Sequence, residues 1–277
     1  MIEFADFLRA RGLMPKDLIP DGKIRRCPTE THPHKRNGAY MWAGEWGFSQ
    51  DWATDLEPVI WQSGNGDTQV DFAAMRKMQA TRQRQIDEGY RKAAIKAADI
   101  VKRCGMRDHL YLARKGFPDD IVLVDDDGHL VIPMRDAQHY EHILSIQRIA
   151  DDGEKRFLFG GRTKGAVFFL GHKSPEVWLC EGYATGLSIA VALKMMHRQA
   201  SVCVCFSAAN LAHVSGLVGG RRLIVADNDS SGTGERFAES TGLAWGMPDE
   251  VDTDANDLHQ TRGIYALAKF IQEIAGK

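Results

Sequence analysis

The sequence lacks the long apolar runs and the cysteine pairs that mark several large classes of protein. None of its 277 residues lies in an apolar run of about 18 residues, so we expect no membrane-spanning helix. The first residues carry acidic side chains and no apolar core or small-residue cleavage site, so they do not resemble a secretory signal. The five cysteines include no C-x-x-C pair, which argues against a disulfide framework and a four-cysteine zinc site. We therefore expect a cytoplasmic protein.

Two further patterns are missing. No P-loop of the form G-x-x-x-x-G-K-[ST] occurs, so no fused helicase or ATPase is predicted. The segment CPTETHPH offers Cys27, His32 and His34 as metal ligands, but no second ligand pair follows. A zinc ribbon needs four ligands, so zinc is not expected.

Charge is unevenly distributed although the net charge is only -2. Between Asp71 and Arg103 there are nine basic and four acidic side chains. An acidic stretch follows late in the chain, around Asp249 to Asp257. A basic middle with an acidic end favours an enzyme that acts on polyanions.

Changes in residue pattern along the chain predict four segments. The fold class is α/β, and α+β when all four segments are taken together. Short strands and helices alternate near the end, which is typical of a parallel sheet flanked by helices. We predict a long helix over 69–104 with a break near Gly89, and a helix over the whole of ERFAESTGLAWG. The predicted segments are a small aromatic and basic β module (1–66), a basic helical region (67–118), a basic β-rich region (119–172) and the parallel-sheet domain (173–277).

Three acidic residues follow predicted strands of this last segment. Glu181 comes directly after VWLC, Asp227 ends RRLIVAD, and Asp229 comes two residues later. In open α/β sheets, function collects at the carboxyl ends of the strands, and carboxylates are ligands that hard divalent cations prefer. The alternative interpretation is that these acids cap turns and helices.

The spacing of these acids resembles a known family. Glu181-Gly182, followed 46 residues later by the Asp-x-Asp of Asp227 and Asp229, resembles the Toprim domain of DnaG-type primases, topoisomerases and some nucleases. The run EGYAT from Glu181 resembles the signature of primases from satellite phages and conjugative plasmids, with Gly186 where those usually carry Ala. DANDL, from Asp254, resembles the D-x-N-D-L stretch that often closes such domains. The resemblance extends from about residue 105 to the end.

The resemblance implies roles for individual residues. Glu181 would be the general acid/base or a bridging metal ligand, and Asp227 and Asp229 would bind one or two Mg²⁺ or Mn²⁺ ions. Asp257, or else Asp254, would complete the acidic pocket. Basic residues would face the nucleotide phosphates or the primer–template, with Lys164 also assigned to catalysis: Arg148, Lys155, Arg156, Arg162 and Lys164. The alternative for this basic set is a solvated hairpin face.

The amino-terminal segment combines aromatic and basic side chains. Bases stack on aromatic rings and basic residues neutralise the backbone, which would suit single-stranded DNA. The alternative is a small β core, which needs large aromatic residues. The candidates for DNA binding are Arg25, Arg26, Lys35, Arg36, Tyr40, Trp42 and Trp46.

The resemblance as a whole implies a DNA primase. Such an enzyme is a nucleotidyltransferase that makes short primers from NTPs on single-stranded DNA, here in replication of a phage, plasmid or related mobile element. A replicative helicase would act in trans. Two alternatives stay open, a Toprim metal-dependent nuclease and a non-catalytic nucleic-acid-binding accessory protein.

Overall fold

The computed structural model describes residues 3–52, 54–55, 57–63 and 72–277, and for 72–82 it describes the backbone only. The chain divides into two compact units, Met1–Met78 and Gln79–Lys277, and each is described by itself. Among the residues so described, no helix has the length and apolar character needed to cross a membrane. The predicted segment boundary after residue 66 falls outside the described residues.

The first unit is built around an antiparallel sheet of four strands in the order β1-β2-β3-β4. Phe4, Leu8, Leu13, Cys27 and Tyr40 form its buried core. The prediction of short strands in this Trp-rich segment is confirmed. The elements are α1 (Phe4–Ala10), β1 (Arg25–Cys27), β2 (Gly38–Trp42), β3 (Trp46–Asp51) and β4 (Val59–Gln62).

The helix α2 (Phe72–Arg103) runs without interruption through Gly89. The predicted break is therefore wrong. A Cβ added at Gly89 would meet no heavy atom within 4 Å, so this glycine serves no close packing contact. Its cost of about 1 kcal/mol relative to Ala is too small to break a helix whose neighbours are good helix formers.

The second unit contains a ten-stranded mixed sheet flanked by helices, which confirms the predicted fold class. The strand order is β14-β13-β11-β12-β10-β7-β6-β5, with β8 on the other edge of β7 and β9 on β8. The last four strands of the chain pair in parallel, and the others pair antiparallel. The elements are β5 (Gly105–Arg107), α3 (Leu110–Arg114), β6 (Val122–Val124), β7 (Leu130–Asp136), β8 (Ile143–Ile149), β9 (Lys155–Phe157), β10 (Ala166–Leu170), β11 (Glu176–Cys180), α4 (Tyr183–Met195), β12 (Ser201–Val204), α5 (Ala208–Ser215), β13 (Arg221–Val225), α6 (Thr233–Ser240), β14 (Ala244–Gly246) and α7 (Ala255–Ala275).

The carboxyl-terminal elements differ from the sequence-based prediction. ERFAESTGLAWG does not form one helix, because α6 ends at Ser240 and Ala244–Gly246 forms β14 beside β13. Gly242 lies in the left-handed region, with φ of +66°, and separates the two. The helix α7 then packs on β14, where a Cβ on Gly246 would lie 2.7 Å from Ile274 Cγ1.

Both faces of the parallel strands are buried. Trp178 and Cys180 of β11 face one core, which also contains residues of α4 and α7. Val177 and Leu179 face the other, which contains residues of α5 and α6. Burial on both faces explains why these strands are continuously apolar instead of alternating. Cys203 and Cys205 of this region are free thiols and are fully buried.

An ion-pair network holds the amino-terminal end of β11. Glu176 accepts from Arg198 Nε at 2.5 Å and from Arg198 Nη2 at 2.8 Å. The indole Nε1 of Trp178 donates to the same carboxylate at 2.8 Å. Arg221 Nη1 of the neighbouring strand lies 3.4 Å away. Glu176 thus joins two parallel strands and the segment after α4.

We expect Glu176→Ala to lower the free energy of unfolding by about 2 kcal/mol, because Arg198 and Trp178 lose a half-buried acceptor. Urea unfolding followed by circular dichroism measures the change. The control is Glu273→Ala, since Glu273 is exposed and lies 3.9 Å from Lys269. This control should lose less than about 0.5 kcal/mol. Equal losses in the two variants would contradict the prediction.

Candidate active site

The sheet brings the predicted acids together along one edge, at the carboxyl ends of its parallel strands. Leu179 of β11 lies opposite Ile224 of β13 in parallel register, so Glu181 and Asp227 follow the carboxyl ends of adjacent strands. Beyond β13, Asn228 forms an isolated bridge with Thr253, and its backbone N–H donates to the Thr253 carbonyl at 3.0 Å. This bridge brings Asp254 to the same edge. We call Glu181, Asp227 and Asp254 the acidic cluster.

Asp227 is the most perturbed member of the acidic cluster. Burial, followed by the charges of Glu181 and Asp254, raises the pKa of Asp227 to about 8. Its Oδ1 is buried and has no hydrogen-bond partner among the described residues. A buried carboxylate beside like charges lacks the cation that would favour its ionised form. A hard divalent ion with oxygen ligands would supply that charge.

Glu181 is perturbed in the same direction. Burial raises its pKa, and the charge of Asp229 raises it further. The backbone N–H of Ala208, at the start of α5, donates to the carboxylate and opposes this change. Lys155 opposes it as well, and its charge also lowers the pKa of Asp227. Lys155 is therefore a cation that faces the acidic cluster.

Asp229 differs from Asp227 because its own loop supplies its partners. The backbone N–H groups of Ser231, Thr233 and Gly234 donate to it at 3.0, 3.2 and 2.9 Å, and the Ser231 hydroxyl donates as well. The hydroxyl of Ser231 and the N–H of Gly234 are the main reasons why the pKa of Asp229 is lowered to about 2. Asp229 thus caps the first turn of α6, as the alternative interpretation proposed.

The start of α6 is also held against Asp227. A Cβ on Gly234 would lie 2.3 Å from the Asp227 carbonyl oxygen, so only glycine fits this close approach. The cap and the glycine together fix the loop that follows the acidic strand end.

Asp254 and Asp257 form a capping box at the start of α7. Asp254 Oδ1 accepts from the backbone N–H groups of Asn256 at 2.7 Å and Asp257 at 3.0 Å. Asp257 Oδ2 accepts from the Asp254 N–H at 3.0 Å, and its Oδ1 lies 3.6 Å from Lys115 Nζ. Sequence reasoning placed Asp257 before Asp254 in the pocket. In the structure, Asp254 is the one whose charge acts on Asp227.

The predicted basic residues divide between the two faces of the β8–β9 hairpin. Lys155 pairs with Ile149, which packs in the core beneath α3, α4 and α7. Arg156 pairs with Arg148, and the adjacent Ile146 belongs to the core beneath α2. Since paired residues share a face, Lys155 projects from the face opposite to Arg148 and Arg156.

The arginines of this set are each engaged with an acid. Arg148 Nε lies 2.7 Å from Asp125 Oδ2, Arg156 Nη2 lies 2.9 Å from Glu154 Oε2, and Arg162 pairs with Asp136. A cavity of about 350 Å³ is lined by Arg162 and Lys164 together with six other residues: Tyr90, Asp136, Gln138, Gly165, His213 and Leu217. Lys164 is exposed there.

A second group of metal-ligand side chains lies at the β6–β7 turn. One ligand atom from each of Asp125, Asp127 and His129 lies within 4.8 Å of the others, so the three could hold one ion. Sequence analysis assigned no role to these residues, although the alternating spacing Asp-x-Asp-x-His is a signal that could have identified them. Asp125 already accepts from the N–H groups of Asp127 and His129, at 3.1 and 2.9 Å, besides its pair with Arg148.

A larger cavity lies away from the acidic cluster. It has a volume of about 570 Å³ and is lined by residues of β14 and α7, among them Trp245, Asp257 and Arg262. Neither Glu181 nor Asp227 lines it, so we base the site on the buried carboxylates and not on cavity size.

The amino-terminal candidates require one correction. Tyr40 is 3% exposed and its hydroxyl donates to the Asp17 carbonyl, so its ring is not accessible to a base. Trp42 stacks on Phe4 with centroids 5.6 Å apart. Trp52, another aromatic residue of this segment, is 62% exposed beneath the Arg26 guanidinium at 4.6 Å.

The other amino-terminal candidates differ in how far they are engaged. Arg25 Nη1 donates to Asp21 at 2.6 Å, and Trp46 is partly buried. Lys35 and Arg36 are exposed.

Comparison with known proteins gives similarities without a family assignment. No family model matches the chain. A structure of the bacteriophage T7 lagging-strand DNA polymerase interacting with primase domains bound to an RNA/DNA hybrid and dTTP matches with 15% identity and a TM-score of 0.40, over 60% of this chain and 85% of the other.

Two further structures are similar. The primase fragment of the bacteriophage T7 primase-helicase matches with 16% identity and a TM-score of 0.40, over 55% of this chain and 66% of that chain. The DnaG catalytic core matches with 14% identity and a TM-score of 0.37, over 52% of each chain. At these values the likeness does not establish a family, and the proposal below depends on the site itself.

The raised pKa of Asp227 predicts a pH-dependent cost to stability. As pH rises from about 4 to about 8, the unfolded chain loses this proton while the folded chain keeps it, so the folded state loses stability. We expect Asp227→Asn in EDTA to be more stable than the original chain by about 2–4 kcal/mol at pH 9, and equal to it at pH 4. Urea unfolding at a series of pH values measures the difference.

The control for this series is Asp119→Asn, which changes an exposed acid. Its difference from the original chain should stay flat across the pH range. An Asp227→Asn difference that is equally flat would contradict the predicted pKa.

Proposed function

We propose that this chain is a DNA primase that joins NTPs into short primers on single-stranded DNA by metal-dependent nucleotidyl transfer. The observation that carries the proposal is Asp227 beside Glu181 and Asp254, within the Glu181-Gly182-Tyr183-Ala184-Thr185 context. The Oδ1 atom of Asp227 is buried and accepts no hydrogen bond from the part of the chain that the structure describes. The raised pKa of Asp227 and Glu181 fits a functional site, because burial and like charges cost stability in a protein that binds no cation there.

The acidic cluster would hold one or two Mg²⁺ or Mn²⁺ ions. When bound, such ions neutralise the triphosphate and lower the pKa of the attacking hydroxyl. Asp227 offers its unpartnered Oδ1 as a ligand, and Asp229 offers capacity at Oδ2, which accepts a single hydrogen bond. Asp254 completes the group in this proposal, and Asp257 holds the start of α7.

Glu181 and Lys155 have distinct proposed tasks. The raised pKa of Glu181 suits a group that holds or moves a proton, or a ligand that bridges two ions. Lys155 places a cation beside the carboxylates, where it would bind the phosphates of a nucleotide. Lys164 and Arg162 would bind phosphates in the cavity of about 350 Å³ that they line.

The biological setting is part of the same proposal. The EGYAT run favours replication of a phage, plasmid or related mobile element, with a replicative helicase acting in trans. The exposed Trp52 and Arg26, together with Lys35 and Arg36, would bind single-stranded template in the first unit.

We expect the chain to make labelled primers from NTPs on single-stranded DNA with Mn²⁺. Glu181→Gln and Asp227→Asn should each lower the yield by at least about 100-fold. Each substitution alters a carboxylate that would hold the metal ions, and these ions neutralise the charge that develops in the transition state. Denaturing gels of the products measure this yield. Asp119→Asn is the control and should remain active.

Other products would favour the alternatives. Shortened DNA without primers would indicate a nuclease. DNA binding that is unchanged in Asp227→Asn, with no metal-dependent product from the original chain, would indicate a non-catalytic binding protein.

We also expect Mn²⁺ to bind at the acidic cluster and not to require the β6–β7 turn. Titration calorimetry should show that Asp227→Asn weakens Mn²⁺ binding by at least about 10-fold, because a charged ligand becomes neutral. His129→Ala should leave this binding unchanged. Loss of binding in His129→Ala alone would move the metal site to Asp125, Asp127 and His129.

A further inference from the structure

An aromatic surface lies beside the acidic cluster. Lys155 and Phe157 are two residues apart on β9, so they project from the same face of the sheet. Phe157 contacts Phe206, whose backbone N–H donates to the Glu181 carbonyl, so this face of β9 lies beside Glu181. The ring of Phe157 packs edge-on against Phe206, with centroids 6.3 Å apart and planes at 82°.

Phe206 is held in an unusual backbone conformation. Its φ is +69°, in the left-handed region that few bulky residues adopt. Its N–H donates to the Glu181 carbonyl at 2.9 Å, and Ser207 then caps α5. Such conformations persist where the surrounding structure enforces them, and they cluster at functional sites. Phe206 therefore couples the position of an aromatic ring to the backbone of Glu181.

Two phenylalanine side chains, Phe157 at the end of β9 and Phe159 in the turn that follows, are exposed to solvent. Phe157 is 45% exposed, and Phe159, two residues further on, is 99% exposed. Phe159 contributes nothing to the core, so its aromatic side chain is not explained by packing. By contrast, the intervening Leu158 packs against the core beneath α2.

Basic side chains flank these rings in the sequence. Lys155 shares the face of Phe157, whereas Arg156 and Arg162 pair with Glu154 and Asp136. The run from Lys155 to Lys164, KRFLFGGRTK, contains four basic side chains and no acidic one. Aromatic rings between basic side chains are the combination that binds single-stranded nucleic acids, because bases stack on rings while cations neutralise phosphates. A protein partner with an apolar surface would not need this charge.

We propose that Phe157 and Phe159 are base-stacking platforms that hold single-stranded DNA beside the acidic cluster. Phe206 would hold the Phe157 ring in place through their edge-on contact. This inference rests on the proposed primase function and identifies where the template is held. We call these three rings the aromatic platform. Its ligand is a strand with unpaired bases, because the faces of paired bases in a duplex are already stacked.

The test measures DNA binding without catalysis. Fluorescence anisotropy of a labelled 20-nucleotide oligothymidylate, in EDTA and without nucleotides, gives the affinity. We expect Phe159→Ala to weaken binding about 10-fold, and the double variant with Phe157→Ala about 100-fold. Phe159→Trp should restore it. Since Phe159 is almost fully exposed, its truncation removes no packing, and unfolding in urea should be unchanged.

The matched control is Tyr265→Ala, which truncates another exposed aromatic residue, 80% exposed on α7. It should bind the oligonucleotide as the original chain does. An unchanged affinity in the Phe157→Ala, Phe159→Ala double variant would overturn the proposal. An equal loss of affinity for a blunt duplex would also overturn it, as would a loss for free ATP without a loss for the oligonucleotide.

Failure of the aromatic platform and failure of the primase proposal have different signatures. Asp227→Asn should keep the oligonucleotide affinity, because it alters the acids alone. If DNA binding depends on Phe157 and Phe159 but the chain makes no primers, the primase proposal is wrong and the aromatic platform is supported. If the chain makes primers but its DNA binding does not depend on Phe157 and Phe159, the aromatic platform is wrong and the primase proposal is supported.

Discussion

The collection of like charges at one sheet edge is the constraint on which the rest of the site depends. Parallel strands end on the same side, so Glu181 and Asp227 meet because β11 and β13 are neighbours. Partial burial then raises the pKa of both carboxyls. A protein without a cation for this position gains nothing from the arrangement, which costs free energy whenever both groups are ionised.

The surrounding acids show how the fold limits that cost. The N–H groups of its loop and of the start of α6 stabilise the ionised carboxylate of Asp229. Asp254 and Asp257 serve as caps of α7. Glu181 receives the N–H of Ala208 at the start of α5. Helix starts thus offset the charge of these acids. Among the residues that the structure describes, none donates to the buried Oδ1 of Asp227.

Basic and aromatic residues are arranged around this edge by strand alternation. On β9, Lys155 and Phe157 project toward the acids, whereas Arg156 projects toward the face that α2 covers. One short strand therefore separates a residue that acts on the site from one that pairs with a neighbouring glutamate. The same alternation explains why a run of basic residues in a sequence overstates the number that can face one ligand.

The sequence by itself determined the strands and helices from β7 to β13, since apolar runs, Asp-Gly turns and capping residues are local signals. It also indicated which acids follow strand ends. It did not predict β14, because three residues after Gly242 form a strand only by pairing with β13. The helix α7 was not predicted either, although its capping residues Asp254 and Asp257 are a local signal. Nor could the sequence show that Asp229 accepts hydrogen bonds from its own loop, that Asp254 and Asp257 cap α7, or that Tyr40 is buried. These hydrogen bonds and this burial depend on which donors, charges and packed side chains surround each residue, and only the tertiary structure decided them.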